Sequence, residues 1–176
     1  STSVYPQTGR RLVDETASSD GVSEKGGLLL AAEQLGFSSG QGIGRSFILR
    51  LAGLYGPDRH LFLDSVRNGE TQASDGDRIL NLIHRDDAVS AILAVLHAGE
   101  QNIGRIYNVS DGNHSSRAEI ASWLAGKLGV DAPSFNGSED SDASNRKISN
   151  DRIRDELNWV PAYPSFREGF NSILES

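Results

Sequence analysis

The 176-residue sequence contains no cysteine and no methionine. Without cysteine there is no disulfide, no thiolate nucleophile and no cysteine-based metal site, a usage that fits a reducing, cytoplasmic setting. Without methionine, a chain that begins Ser1-Thr2-Ser3-Val4-Tyr5 reads as a piece of a longer translation product. Basic charge is in deficit: 17 Lys and Arg stand against 24 Asp and Glu, a formal net charge of −7. That balance disfavours nucleic acid and anionic membrane surfaces as partners. Long apolar runs are missing as well. The stretch from Ala88 to Ala98 is broken by Ser90 and His97, well short of the roughly 18 residues that span a bilayer, and no signal-peptide pattern is visible. The four histidines, at 60, 84, 97 and 114, have no zinc-ligand spacing, so no metal site is expected. What is present, 37% hydrophobic and 23% charged residues with 19 Gly, describes an ordinary soluble globular chain.

Periodicity predicts strands alternating with helices. Ser1 to Tyr5 reads as a strand end, and the polar, turn-rich stretch from Pro6 to Gly27 as a surface loop. A helix is predicted over Leu28 to Leu35, ending at Gly36, followed by a buried strand at Phe47 to Leu51. A helix from Arg59 to Val66 comes next, then a hairpin-like Ser74-Asp75-Gly76-Asp77 and a strand from Ile79 to His84. Asp86 or Asp87 can cap the helix that runs to about His97. Arg105 to Val109 reads as a strand. Ser116-Arg117-Ala118-Glu119 and Ser165-Phe166-Arg167-Glu168 are capping boxes, each opening a helix. Another helix is predicted from about Asn150 to Leu157, and the Ser, Asp, Asn and Gly rich segment from Asp131 to Asn145 as a loop or lid. Alternating strands and helices make this an α/β chain with an at least partly parallel sheet.

Five segments, in order, carry a resemblance. They are Ser1-Thr2-Ser3-Val4-Tyr5, Ile48 through Pro57 (Ile-Leu-Arg-Leu-Ala-Gly-Leu-Tyr-Gly-Pro), Asn81 through Ala88 (Asn-Leu-Ile-His-Arg-Asp-Asp-Ala), Ile106 through Asp111 (Ile-Tyr-Asn-Val-Ser-Asp), and Glu156 through Pro161 (Glu-Leu-Asn-Trp-Val-Pro) after Arg146-Lys147-Ile148-Ser149. Together they resemble the C-terminal portion of the extended short-chain dehydrogenase/reductase family, the NAD-dependent epimerases and dehydratases, over almost the whole chain. The resemblance implies the C-terminal part of an NAD(P)-binding Rossmann-type, doubly wound domain plus a small α/β substrate domain. Residues 1–57 correspond to the first, and residues 58–176 mainly to the second, some of whose segments can return to the Rossmann sheet. The Gly-rich phosphate turn of such proteins lies ahead of these segments, which would put roughly 100 residues before Ser1. Gly40-Gln41-Gly42-Ile43-Gly44 has the wrong spacing for it and leads into a strand, so a flexible loop is the better reading.

The family's chemistry moves a hydride to NAD or NADP while a Tyr, assisted by a Lys and a Ser or Thr, takes the hydroxyl proton. By resemblance Ser1 occupies the Ser/Thr position. The Tyr-x-x-x-Lys dyad falls on Gly26 and Leu30, so the usual base and its helper are both absent, as in the atypical subgroup that retains cofactor binding. Lys25 and Glu24 adjoin the position, and a solvated pair is the simpler account of them. Tyr5 is read as a packing residue. Leu54 and Tyr55 match the turn where the backbone nears the nicotinamide end of the cofactor. Arg78 and Arg146 are the substrate-binding candidates, each also explicable as surface or turn charge. Sugar-nucleotide enzymes carry an Asn where this chain has Gly53 and an Arg where it has Leu80, which argues against a nucleotide-sugar substrate. Asp87 is expected to cap a helix, Trp159 to be a buried aromatic and Pro161 a helix stop. The resemblance implies an enzyme acting on a sugar-like or small polar molecule, with a homodimer through the Leu28 to Leu35 helix. The alternative is a non-catalytic NAD(P)-binding or protein-interaction module.

Overall fold

The computed structural model describes residues 1–6, 9–39, 46–72, 75–100, 104–137 and 145–175. After a 3-10 turn at Thr2–Val4, the elements in chain order are β1 (Leu12–Val13), α1 (Glu24–Ser39), β2 (Ile48–Leu51), β3 (Gly53–Tyr55) and α2 (Leu61–Arg67). They continue with β4 (Leu82–His84), α3 (Arg85–Leu96), β5 (Ile106–Val109), α4 (Arg117–Leu128), β6 (Lys147–Ile148), α5 (Asp151–Leu157) and α6 (Phe166–Leu174). The strands form three parallel pairs, β2 with β5, β3 with β4 and β1 with β6. The parallel α/β class inferred from the sequence is the one observed. Helical crossovers are what parallel pairing demands, and α2 with its flanking loops joins β3 to β4 while α3 leads from β4 toward β5.

Three apolar clusters hold the elements together. One joins β2, β5, α3 and α5 through Ala91, Tyr107, Val109, Ile153 and Trp159. The expected burial of Trp159 is observed, and its indole N–H donates to Ser90 Oγ at 2.8 Å. A second cluster packs α2, α4 and α6 against Tyr55, with Leu63, Leu124 and Phe166 at its centre. Each of those three is fully buried, a contribution of about 2 kcal/mol apiece before entropy is subtracted. The third, Val4, Tyr5, Val13 and Ile148, seals the N-terminal turn.

Several boundaries differ from expectation. Ser1 to Tyr5 is a 3-10 turn and not a strand end, with Ser1 Oγ accepting from the Ser3 N–H. The Pro6 to Gly27 stretch is more than a surface loop. It holds β1 and the start of α1, and it sends Glu15 inward, where its carboxylate accepts the Asn108 N–H of β5 at 2.6 Å. That bond satisfies a strand donor that β2 does not reach. Helix α1 runs through Gly36, because a glycine ends a helix when it turns left-handed and Gly36 does not. The predicted strand from Ile79 shrinks to Leu82–His84. Helix α5 stops at Asn158, left-handed at φ 51°, three residues before Pro161. The Ser116 capping box forms, with Ser116 Oγ accepting from the Glu119 N–H. At Ser165 the hydroxyl accepts from the Arg167 N–H and donates to Glu168. Residue 74 of the predicted hairpin and residues 138–144 of the predicted lid lie outside the described residues.

Candidate functional site

Two regions bear on function, and they are built differently. The first surrounds the N-terminal turn. Tyr5, which is buried, donates its hydroxyl to Asn108 Oδ1 at 2.7 Å and accepts from Arg50 Nη1 at 2.9 Å. Arg50 in turn grips Glu33 of α1 through two N–H···O bonds, of 3.0 and 2.8 Å, the bidentate arrangement that suits guanidinium and carboxylate. Burial is the main influence on the Tyr5 hydroxyl and pushes its pKa up, with Arg50 opposing. The reading of Tyr5 as a packing residue therefore agrees with its surroundings.

Gly26, at the position of the missing tyrosine, is buried against this turn. A Cβ there would lie 2.9 Å from the main-chain oxygen of Ser3 and 3.1 Å from the Val22 Cβ. The absence of a side chain is thus a packing requirement of this backbone. Ser1 is exposed, its hydroxyl bonded to Ser3. Arg146 is buried, with Nη2 donating to the Thr2 carbonyl at 2.7 Å and Nη1 to that of Pro6 at 3.5 Å. Its guanidinium thus fastens the turn that carries Ser1. Arg78 is half-buried and lies near both Arg117 and Arg146, whose pKa values are lowered chiefly by burial and further by Arg78. The Gly40 to Gly44 stretch lies outside the described residues.

The second region is a pocket of about 220 Å³ at the carboxyl end of β3, the place where parallel strands expose their main-chain ends to ligands. Gly53, Leu54 and Tyr55 form one side, and Leu80, Leu82 and Phe170 continue the apolar wall. Arg59, His60, Leu61 and Phe62, which follow the strand, close over it together with Arg117. The Leu54 carbonyl accepts from Arg59 Nε at 3.1 Å. His60 Nδ1 sits 2.9 Å from Asp64 Oδ2, which fixes the ring and leaves Nε2. The Arg117 guanidinium lies over the Phe62 ring, 5.5 Å from its centroid, and burial followed by the neighbouring Arg78 lowers its pKa. Leu54, Tyr55, Gly53 and Leu80 are brought together here, whereas Ser1 and Arg146 belong to the first region. Arg59, His60 and Arg117 were not singled out as site residues from the sequence. A signal did exist, since the first two lie just past the Tyr-Gly-Pro turn, after Asp58, and the third opens a capped helix.

The Tyr55 ring packs on Phe170, their centroids 4.8 Å apart. Its hydroxyl is buried without a hydrogen-bond partner and packs on the backbone of Gly169, where a Cβ would come within 1.8 Å. The His84 ring lies edge-on to it at 5.4 Å. His84 Nδ1 accepts from the Asp86 N–H at 3.3 Å, so His84 and not Asp87 caps α3. Asp87 instead reaches across the molecule and accepts the N–H groups of Ala162 and Tyr163 at 2.7 and 3.0 Å. At the third position of the helix its side chain is taken up by the segment between α5 and α6, which overrides the expected capping role. Asp111 lies near the same group. Burial pushes its carboxyl up to about 8, with nearby Asp87 and Glu168 adding to the shift. Burial also lowers the His84 pKa. Among the described residues no cluster of His, Asp or Glu has the makings of a metal site.

No family model matches the chain. Among curated proteins it is 38% identical over 117 residues to Protein YeeZ of Escherichia coli K12, a match spanning 66% of this chain and 40% of that protein. It is 32% identical over 118 residues to short-chain dehydrogenase/reductase family 42E member 1 of Danio rerio, covering 61% and 30%. With the UDP-glucose 4-epimerase of Mycolicibacterium smegmatis the identity is 29% over 136 residues, covering 70% and 42%. The chain's sequence relatives and structural neighbours are members of the short-chain dehydrogenase/reductase family. Its structural neighbours lie on the NAD-dependent epimerase/dehydratase side of that family. The UDP-glucose 4-epimerase of Thermotoga maritima, solved with UDP-glucose, superposes with a TM-score of 0.81 at 21% identity, covering 98% of this chain and 59% of the other. RMD of Pseudomonas aeruginosa, solved with NADPH, gives 0.81 at 23% identity, covering 99% and 63%. The identity and the Rossmann-type fold class inferred from the five segments therefore agree with these relatives. The chain spans 30 to 42% of the length of the curated relatives it matches.

Proposed function

We propose that this chain carries the substrate side of an atypical NAD(P)-dependent epimerase/dehydratase-like protein acting on a small polar or sugar-like molecule. The observation that carries this reading is the pocket at the carboxyl end of β3, walled by Leu54 and Tyr55 and overhung by Arg59, His60 and Arg117. The dinucleotides bound to structural neighbours support NAD or NADP as the cofactor. The residues present fit only one end of such a cofactor. The peptide of Leu54 and Tyr55 can face a nicotinamide, while the described residues include no Gly-rich turn opening a helix for the pyrophosphate. When bound, the cofactor supplies hydride acceptance or donation. In this reading residues 1–57 belong to the Rossmann part and residues 58–176 mainly to the substrate part.

The chain's own residues divide the remaining tasks. Gly26 offers no phenol, and the Tyr5 hydroxyl is committed to Arg50 and Asn108, so proton handling in the pocket falls to His60 held by Asp64. Ser1 and Arg146 shape the turn beside Gly26, and Arg78 adds positive potential behind Arg117. The exposed Leu28 and Leu35, one heptad apart on α1, fit a homodimer seam. Nucleotide binding tests the reading. The longest reading frame containing this chain, titrated with NAD+ and NADP+ by calorimetry, is expected to bind one of them saturably, and binding of neither would overturn it. In a frame that turns over substrate, His60→Gln is expected to lower kcat.

A further inference from the structure

Helices α3 and α4 are both 12 residues long, and each buries one face in an apolar cluster. Their outward faces differ. That of α4 carries Glu119, Ser122, Gly126 and Lys127, ordinary solvated positions. That of α3 carries Val89, Ile92, Leu93 and Leu96, each between 44 and 61% exposed, while Ala88, Ala91 and Val95 fill the core on the opposite side. A helix that is apolar all round is one that other protein covers, and the described residues leave this outer stripe bare. Single exposed apolar side chains such as Leu12 and Val160 are ordinary surface, whereas four on one helix face form a contiguous patch of roughly a few hundred Å².

The spacing of the stripe indicates what fits it. Its apolar members fall at 89, 92, 93 and 96, flanked four residues out on either side by exposed Arg85 and Glu100. With 3.6 residues per turn, 85, 89, 92, 93 and 96 share an arc of about 100°, and exposed Asp86 and His97 lie on its flank. The series reads the same in both directions about the midpoint of Ile92 and Leu93. A two-fold interface requires this of a helix face, because residue i of one copy meets residue j of the other while j meets i. In an antiparallel pair of α3 helices Val89 faces Leu96 and Ile92 faces Leu93, and the ends bring opposite charges together, Arg85 with Glu100. We propose that α3 is a self-association surface on which two copies of this chain pair antiparallel about Ile92 and Leu93. This seam is separate from the α1 seam of Leu28 and Leu35. Its patch is smaller than the roughly 800 Å² per partner of a standard complex, so the pair is a weak dimer, with Kd on the order of 0.1 mM.

Sedimentation velocity of this chain from about 10 μM to about 1 mM tests the proposal. A concentration-dependent shift to dimer is expected, and it should persist in Leu28→Glu, which disables the α1 seam. In that background Leu93→Glu should raise Kd at least about tenfold, since it places a carboxylate in the apolar contact. Glu100→Arg should weaken the pair several-fold by setting like charges together, and Arg85→Glu combined with Glu100→Arg should restore it. All these positions are exposed, so the variants are expected to keep the circular dichroism of the parent. Because the chain has no cysteine, introduced thiols report the register. Val89→Cys mixed with Leu96→Cys should cross-link on oxidation several-fold faster than either variant alone. A monomer at every concentration overturns the proposal, as does an association that Leu28→Glu abolishes or Leu93→Glu spares. Cross-linking of Val89→Cys to itself as fast as in the mixture also overturns it, and so does a charge-swapped double variant no tighter than Glu100→Arg.

Discussion

The N-terminal turn and the pocket beyond β3 contain the same kinds of side chain and use them in opposite ways. At the turn, polar groups close mainly on one another: Tyr5 on Asn108 Oδ1 and Arg50, Arg50 on Glu33, and Glu15 on the Asn108 main-chain N–H, with Asn108 Nδ2 the buried donor left over among the described residues. At the pocket, Arg59 donates to the Leu54 carbonyl, His60 is bonded to Asp64 and Arg117 lies over Phe62, and all three line a cavity. Polar groups closed on protein stabilise a backbone, and those that keep donors toward a cavity can serve a ligand. Residue-by-residue transfer from the family directs attention to the turn, yet the geometry there has become structural.

The sharpest way to break this contrast is to restore the missing dyad with Gly26→Tyr and Leu30→Lys. Were the turn a dormant catalytic site, the double variant would gain activity. The Ser3 carbonyl at 2.9 Å from the new Cβ instead predicts a loss of about 3 kcal/mol or more, measured by urea unfolding, with no gain in turnover in the longer frame. Arg50→Met comes next. It leaves Glu33, only 12% exposed, without its bidentate partner, and should cost about 3 kcal/mol.

Legibility in the sequence follows the same divide. The parallel α/β class, the helices opened by Ser116 and Ser165, and the burial of Trp159 depend on local pattern, and they agree with the structure. The pairing of β1 with β6 joins two-residue strands some 135 positions apart; so short a strand has no alternation to read. The cluster of Tyr55, His84, Asp111 and Gly169 is likewise assembled only by the fold. Asp87 illustrates the limit: its place early in a helix suggests a cap, and only the course of the chain at Ala162 and Tyr163 reveals its actual partners.

Asp111 sharpens the comparison through pH, because it is a buried acid with neither a guanidinium grip like Glu33's nor a ligand-facing role. A carboxyl whose folded pKa, about 8, exceeds its unfolded value near 4 holds a proton that the unfolded chain has released. Its contribution is fully present below pH 4 and is lost as the pH rises toward 8, with a limiting slope of about 1.4 kcal/mol per pH unit. His84, its pKa lowered by burial, acts in the opposite direction, removing stability as the pH falls below about 6.5. Asp111→Asn keeps the shape of the protonated acid and should flatten the decline in melting temperature between pH 6.5 and 8. An unchanged slope would mean that Asp111 is ionised in the folded chain.

The smallest effect belongs to a second guanidinium–carboxylate pair, Arg167 with Glu119, which has the same 2.8 Å contact as Arg50 with Glu33. The side chains are 42% and 45% exposed here, against 8% and 12% there. Water solvates both charges in the unfolded and folded states, so the net gain is about 0.5 kcal/mol and is screened by salt. Glu119→Gln, which keeps the shape and the Arg167 stacking on Phe166, should shift stability by no more than that and only at low ionic strength. Arg167 holds the Glu119 pKa below its usual value, so the contribution is present above about pH 4.5 and fades as the pH drops through the folded pKa. Equal costs for Glu119→Gln and Arg50→Met would mean that neither burial nor the second N–H···O bond of the Arg50–Glu33 pair is what makes the N-terminal turn structural.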